Sequence, residues 1–276
     1  MTAKYPSCQL KVLGASLQPQ TIVGFMISGT GRSILIIDSS GFVNCSGYNK
    51  LGQLGLGDTK SRSKFTINKQ IDDVIAVSAG AVHSLFLRQD GTVWQSGSVS
   101  TKFFENIPFQ ISLPEITQIS CGTDHSLFLD SQMIVWVNGN NELGKLGIGA
   151  EADIRFDSPV MISTLPPIVS ISAGPSHSLF LDVDGSAWVS GGCDPYAMDD
   201  QPMVEGMKYI PGRDWATRTP VKIPQVPKVT SIASGDCFIH LIDESGGVWG
   251  AGVNTFGQLG IGNFRSTPSH TNQSFT

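Results

Sequence analysis

The chain of 276 residues is short of charge, with 18 Lys and Arg against 23 Asp and Glu, 15% charged residues in all and a formal net charge of −5 at pH 7. It has no basic tail or stripe to neutralise phosphates, so no direct nucleic-acid partner is expected. Long apolar runs are missing too. None approaches the roughly 18 residues that a membrane span needs, and the opening MTAKYPSCQLKVLG lacks an apolar core of signal-peptide length. No membrane contact is expected. The five cysteines (Cys8, Cys45, Cys121, Cys193 and Cys237) are odd in number and scattered, with no Cys-x-x-Cys pair, so both zinc and a disulfide framework are poorly supported. The expected setting is reducing, in the cytoplasm or nucleus. Stretches rich in Glu, Lys and Ala, which build long helices, are scarce as well. The chain carries instead 31 glycines, 15 prolines and 40% hydrophobic residues. It turns often and can still bury a core, which points to an all-β globular protein.

Internal repetition sets the architecture. SAGAVHSLFLRQDGTVWQSG at Ser78 returns as SCGTDHSLFLDSQMIVWVNG at Ser120 and SAGPSHSLFLDVDGSAWVSG at Ser172, and more loosely around Gly235; FMISGTGRSILII gives a degenerate first copy around Gly29. Spacings of about 40 to 60 residues are those of blades or solenoid turns. Each copy reads as an apolar strand, a second strand beginning at the HSLFL motif, an Asp-Gly type turn and a third strand containing tryptophan. A fourth strand follows in four copies: KFTINKQ, IPFQISL, SPVMIST and TPVKIPQ. The last copy shows none, whereas CQLKVLG at residues 8–14 is a strand without a copy. Pairing that strand with the last copy would close a ring and remove its open edges. The sequence thus predicts a β-propeller of four-stranded antiparallel blades in a single domain over 1–276, with five blades at about 22–69, 74–114, 116–165, 168–226 and 229–276.

The loops YNKLGQLGLGD, GNNELGKLGIGA and VNTFGQLGIGN share an Asn-x-x-Gly-x-Leu-Gly-x-Gly pattern. Together with Gly-x-x-His-Ser-Leu-x-Leu and the Asp-Gly turn, this resembles the repeat of the regulator of chromosome condensation family over nearly the whole chain. The usual ring of that family has seven blades, and copies two and four replace the Gly-Gln-Leu-Gly loop. A reduced ring of five blades and a ring with two repeats outside the chain are both compatible with this, and the strand count favours the first. The resemblance implies a protein-binding propeller that promotes guanine nucleotide exchange on a small GTPase of Ran, Rho or Rab type by stabilising its empty form. A non-catalytic adaptor or scaffold for another protein is the alternative, and a monomer is expected in either case.

His83, His125 and His177 could suggest a three-histidine zinc site, but they recur at equivalent strand starts, where satisfying buried polar groups is the stronger reading. Trp94, Trp136, Trp188 and Trp249 likewise recur as core. No nucleophile elbow or phosphate loop is present, so no bond-making chemistry, metal or cofactor is expected. Departures from the repeat are more informative. The fourth copy expands between Gly191 and Pro220, bringing Asp199, Asp200, Arg213, Asp214 and Trp215. The second carries Phe103 and Phe104. With Asp124 and His125, which match the acidic-histidine loop that the resemblance places at the contact face, and Asp236 in the equivalent GDCF loop, these are the expected partner-binding residues.

Overall fold

The computed structural model describes residues 24–27, 33–38, 41–98, 104–149, 154–193, 208–209 and 215–273, without side-chain detail at 24–27, 208–209, 215 and 267–273. Among the described residues, twenty-one strands form five antiparallel sheets, and a 3-10 turn (Glu142–Gly144) lies outside them. The first holds β1 (Gly24–Ile27), β2 (Ser33–Ile37), β3 (Val43–Gly47) and β4 (Arg62–Asn68); the second β5 (Val74–Ala79), β6 (His83–Arg88), β7 (Val93–Ser98) and β8 (Phe104–Ile111). The third holds β9 (Ile116–Cys121), β10 (His125–Asp130), β11 (Val135–Asn140) and β12 (Arg155–Met161). The fourth runs β13 (Ile168–Ala173), β14 (His177–Asp182), β15 (Ala187–Cys193), β17 (Trp215–Lys222) and β16 (Lys208–Tyr209); the fifth β18 (Val229–Ser234), β19 (Phe238–Asp243), β20 (Val248–Gly252) and β21 (Thr267–Gln273). The all-β propeller of four-stranded blades is therefore the observed fold. In the fourth sheet, part of the long insertion comes back as an extra edge strand, with Tyr209 opposite Trp215.

The alternating pattern of each strand explains why the sheets stack. In β6, Leu85 and Leu87 face the third sheet and meet Ile116, Ile119, Cys121 and Phe128, while Phe86 faces back into the core shared with Leu35, Val43 and Leu54 of the first. Similar cores join the third sheet to the fourth and the fourth to the fifth. A single sheet cannot bury both faces, so each blade is stable only between neighbours. The tryptophans pack at the margin of these cores. Trp136, Trp188 and Trp249 donate Nε1–H to Asp130, Asp182 and Asp243 at 2.9, 2.8 and 2.7 Å, fixing the turn between the second and third strands.

The strand count given for ring closure is corrected here. The fourth place of the fifth sheet, predicted to be vacant, is taken by β21 from the chain's own tail, which pairs with β20 from Gly252↔Thr267 to Val248↔Gln273. The sequence PSHTNQ has little apolar character to mark it as a strand; it forms because the exposed edge of β20 offers it a backbone ladder. Residues 8–14, expected to complete that sheet, lie outside the described residues. Among the described residues four hydrophobic cores join the five sheets in series, and none of them joins the fifth sheet to the first.

A candidate protein-contact face

The registers place the unusual residues at one end of the sheets. His125 stands opposite Gly139, His177 opposite Gly191 and Phe238 opposite Gly252, so each turn between first and second strands lies beside the loop between third and fourth strands of its own sheet. The turns of neighbouring sheets also touch: Ala81 N–H donates to the Thr123 carbonyl at 3.2 Å. A Cβ added to Gly80 would lie 2.4 Å from the Gly122 carbonyl oxygen, and one added to Gly122 would lie 2.5 Å from that of Gly174. Glycine is required at this position because successive turns press backbone against backbone at the inner end of the blades.

Beneath these turns the repeat serves as a set of bolts. Ser78 Oγ accepts from Cys121 N–H at 2.9 Å, Ser120 Oγ from Ala173 N–H at 2.9 Å and Ser172 Oγ from Ser234 N–H at 3.0 Å. His83 Nε2 lies 2.8 Å from Ser126 Oγ and His125 Nε2 lies 3.0 Å from Ser178 Oγ, each reaching the second strand of the next sheet. The His-Ser dipeptide therefore serves two junctions at once, the histidine bonding forward and the serine receiving from behind. His177 is the exception. Its forward neighbour is Ile239 instead of serine, and neither of its buried ring nitrogens has a partner among the described residues. Burial pushes His83 and His177 down to about 4 and His125 well below the usual histidine range. All three are neutral structural groups at pH 7, and no cluster among the described residues could hold a metal.

His125 is consequently enclosed, and of the predicted Asp124–His125 pair only Asp124 reaches the surface. Asp124 also has a structural task. It accepts from Lys145 Nζ at 2.7 Å and from Asn140 Nδ2 at 2.9 Å, and the Lys145 side chain is only 5% exposed. Partial burial would raise the Asp124 carboxyl, but the Lys145 ammonium and the Asn140 amide hold it below the usual carboxylate value. Asp236 is exposed on the equivalent turn of the fifth sheet, and Phe104, 52% exposed, opens β8 opposite Ser98. Phe103, Asp199, Asp200, Arg213 and Asp214 lie outside the described residues. Trp215 begins β17, opposite Cys193. The common end of the sheets thus holds Asp124, Asp236, Phe104 and both ends of the fourth-sheet insertion.

Two exposed aromatic residues at this end were missed by the sequence reading. Phe256 and Phe264, 88% and 71% exposed, stand in the Gly-Gln-Leu-Gly loop of the fifth sheet. The corresponding loops of the first and third sheets dock on the outer strand of the next blade: a Cβ on Gly52 would meet Asn106, and one on Gly144 would meet Arg218. Leu143, the counterpart of Phe256, is buried there. The fifth-sheet loop has the same internal clamp, Leu259 N–H to Asn254 Oδ1 at 2.9 Å, but around Gly262 a Cβ would meet nothing within 4 Å. The available signal was the change from leucine to phenylalanine at one loop position.

The cysteine expectation is also corrected. Cys193, at the end of β15, is joined to Cys237, in the turn before β19, with Cα atoms 5.3 Å apart. Their separation of 44 residues gave no signal in sequence; the stacking of the fourth and fifth sheets creates the contact. Cys45 and Cys121 are free and buried.

Comparison with known proteins agrees with this architecture. Residues 134–181, from β11 through most of β14, match the family described as Regulator of chromosome condensation (RCC1) repeat. That segment is similar to an RCC1 repeat. The Regulator of chromosome condensation of Drosophila melanogaster is 26% identical over 221 residues, 80% of this chain and 31% of that protein. Yeast RCC1 (Prp20), solved with Kap60 bound, superposes with a TM-score of 0.77 at 21% identity, covering 94% of this chain and 62% of the other. A second structure, of Prp20p from Saccharomyces cerevisiae, described with its binding properties to Gsp1p and histones, gives a TM-score of 0.74 at 23% identity over 89% of this chain and 62% of the other. The chain spans about a third or less of the mouse and fly relatives that it matches.

Proposed function

We propose that this RCC1-repeat propeller is a protein-binding module whose loop-bearing end engages a small GTPase of Ran, Rho or Rab type and promotes release of its guanine nucleotide. The observation that carries this reading is the convergence at one end of the sheets of a half-buried acid (Asp124), an exposed acid (Asp236), exposed aromatics (Phe104, Phe256, Phe264) and the roots of the 191–220 insertion. Aromatic anchors amid charge are the composition of protein contact surfaces. Support also comes from the likeness to Prp20p, a protein described with binding to Gsp1p, and from the exchange activity that the family resemblance implies. That resemblance also favours a nuclear setting for the partner.

No bond is made or broken in such a mechanism. The propeller binds the empty GTPase more tightly than the loaded one, so its binding weakens nucleotide affinity, and nucleotide entry expels the propeller by the same factor. Asp236 and the insertion, with Asp199, Asp200, Arg213 and Asp214, would approach the nucleotide site, while His125 acts from below by holding the Asp124 turn.

The test is release of fluorescent GDP from Ran-, Rho- and Rab-type GTPases mixed with the full chain. Acceleration of one of them that is lost in Asp236→Ala with Phe256→Ala supports exchange. Failure to accelerate any of them, with binding to another protein intact, leaves the adaptor function in its place.

A further inference from the structure

The fourth-to-fifth junction lacks the histidine bolt that closes the two junctions before it. Ile239 stands at the repeat position of the serine that would receive His177, and a covalent bond between Cys193 and Cys237 crosses at the same end of the same two sheets. Both cysteines sit at positions where the other copies place something else. Cys193 replaces the buried asparagine (Asn49, Asn141, Asn254) that clamps the following loop by accepting from a leucine N–H. Cys237 replaces Val82, Asp124 and Ser176, and takes a left-handed φ of 58° that these three do not share. The copy with the longest insertion has therefore lost its loop clamp and gained a cross-link at the root of that insertion, since Cys193 pairs with Trp215 where the chain returns.

We propose that Cys193 and Cys237 form a redox latch that fastens the fifth blade, and the neck of the insertion, to the fourth. Latching is a thiol–disulfide exchange with a small disulfide of the glutathione class. The Cys193 and Cys237 thiols lose two protons and two electrons and gain one S–S bond; the S–S bond of the reagent breaks, and the reagent leaves as two thiols. Cys237 is only partly buried, so a small thiol can reach it to reverse the step. Cys45 and Cys121 do not compete, because burial pushes both thiols up to about 12 and neither has a second cysteine beside it. Reduction leaves the fifth blade held, among the described residues, by its hydrophobic core, by the two Ser172–Ser234 bonds and by the Val229 N–H donating to the Gly185 carbonyl, so this blade opens more readily without the cross-link.

The experiment equilibrates the full chain with mixtures of reduced and oxidised glutathione. Free thiols are alkylated, the linked peptides are mapped, and amide hydrogen exchange is followed sheet by sheet. The expected result is a Cys193–Cys237 peptide in the oxidised protein and, on reduction, exchange faster by about tenfold or more in β18 to β20 with β9 to β11 unchanged. The melting midpoint falls by about 5 °C. In Cys193→Ser with Cys237→Ser, or in Cys237→Val where the double variant does not fold, glutathione has no effect on either readout. The proposal is overturned if both cysteines remain alkylated under full oxidation, if the bond forms without slowing exchange in the fifth sheet, or if the variants respond to glutathione as the parent does.

Discussion

The junction between the second and third sheets and that between the fourth and fifth are built from the same repeat by different means. Both have an apolar core and an inner-strand serine bonding to a backbone N–H. The first adds a buried His83–Ser126 contact, whereas the second buries His177 without a partner among the described residues and adds a covalent link. A buried imidazole is favourable only when the next repeat supplies its hydroxyl; without it, the ring is a desolvated polar group with nothing in return. The lesson is that a repeat residue gets its value from the following copy. Ile239 changes the worth of a histidine 62 positions earlier without altering the motif around it, 239 less 177.

The largest contrast is expected from the cores. Phe180 is fully enclosed between the third and fourth sheets, and Phe180→Ala should cost about 3 to 5 kcal/mol. Leu241 holds the same place between the fourth and fifth, and Leu241→Ala should cost about 2 to 4 kcal/mol because less volume is removed. Denaturant unfolding measures both; a smaller loss at Phe180 would mean that the middle of the array is not its best-packed part.

Asp124→Ala should come next, at about 1 to 3 kcal/mol, because it strands the enclosed Lys145 ammonium. Asp236 has no such dependent, so Asp236→Ala should leave stability within about 0.5 kcal/mol. Thermal melting of the two variants separates the structural acid from the surface acid. Equal melting points would place both on the surface.

Acid tests the histidines together. His83 and His177 titrate near 4 in the folded chain against about 6.5 when unfolded, so below 6.5 the unfolded state takes up more protons. Their contribution is intact above pH 6.5, is lost as pH falls towards 4 and changes little below that. Asp243, held at about 2 first by the Ser245 hydroxyl and then by the Trp249 indole, adds a second loss between pH 4 and 2. Stability followed from pH 7 to 3 should therefore fall in two stages. A flat profile between pH 6.5 and 4 would show that the histidines are accessible to solvent in the folded chain.

Much of this was legible in the sequence because it rests on local periodicity. HSLFL fixed which residues face which core, Gly80 and its counterparts marked a close backbone approach, and recurrence identified the histidines as structural. What was not legible depends on which copies become neighbours. The Cys193–Cys237 bond, the orphaning of His177 and the exposure of Phe256 all arise between blades, where sequence distance carries no signal. β21 was missed for another reason: its residues are polar, and only the edge of β20 makes them a strand.

The smallest expected effect is the most discriminating. His125→Leu removes the partner of Ser178, but that hydroxyl still donates to the Lys145 carbonyl at 2.7 Å, so the cost is limited to the lost bond, about 1 kcal/mol. His177→Leu removes two buried nitrogens that have no partner among the described residues and puts an apolar group in their place, and should be neutral or stabilising by about 1 kcal/mol. It should also flatten the acid profile between pH 6.5 and 4, which His125→Leu does as well while lowering stability at pH 7. Two substitutions of the same residue type at the same repeat position would then differ in sign at neutral pH and agree in acid. Loss of stability at pH 7 in His177→Leu would show that this histidine has a partner after all, and that the fourth-to-fifth junction is bolted like the others.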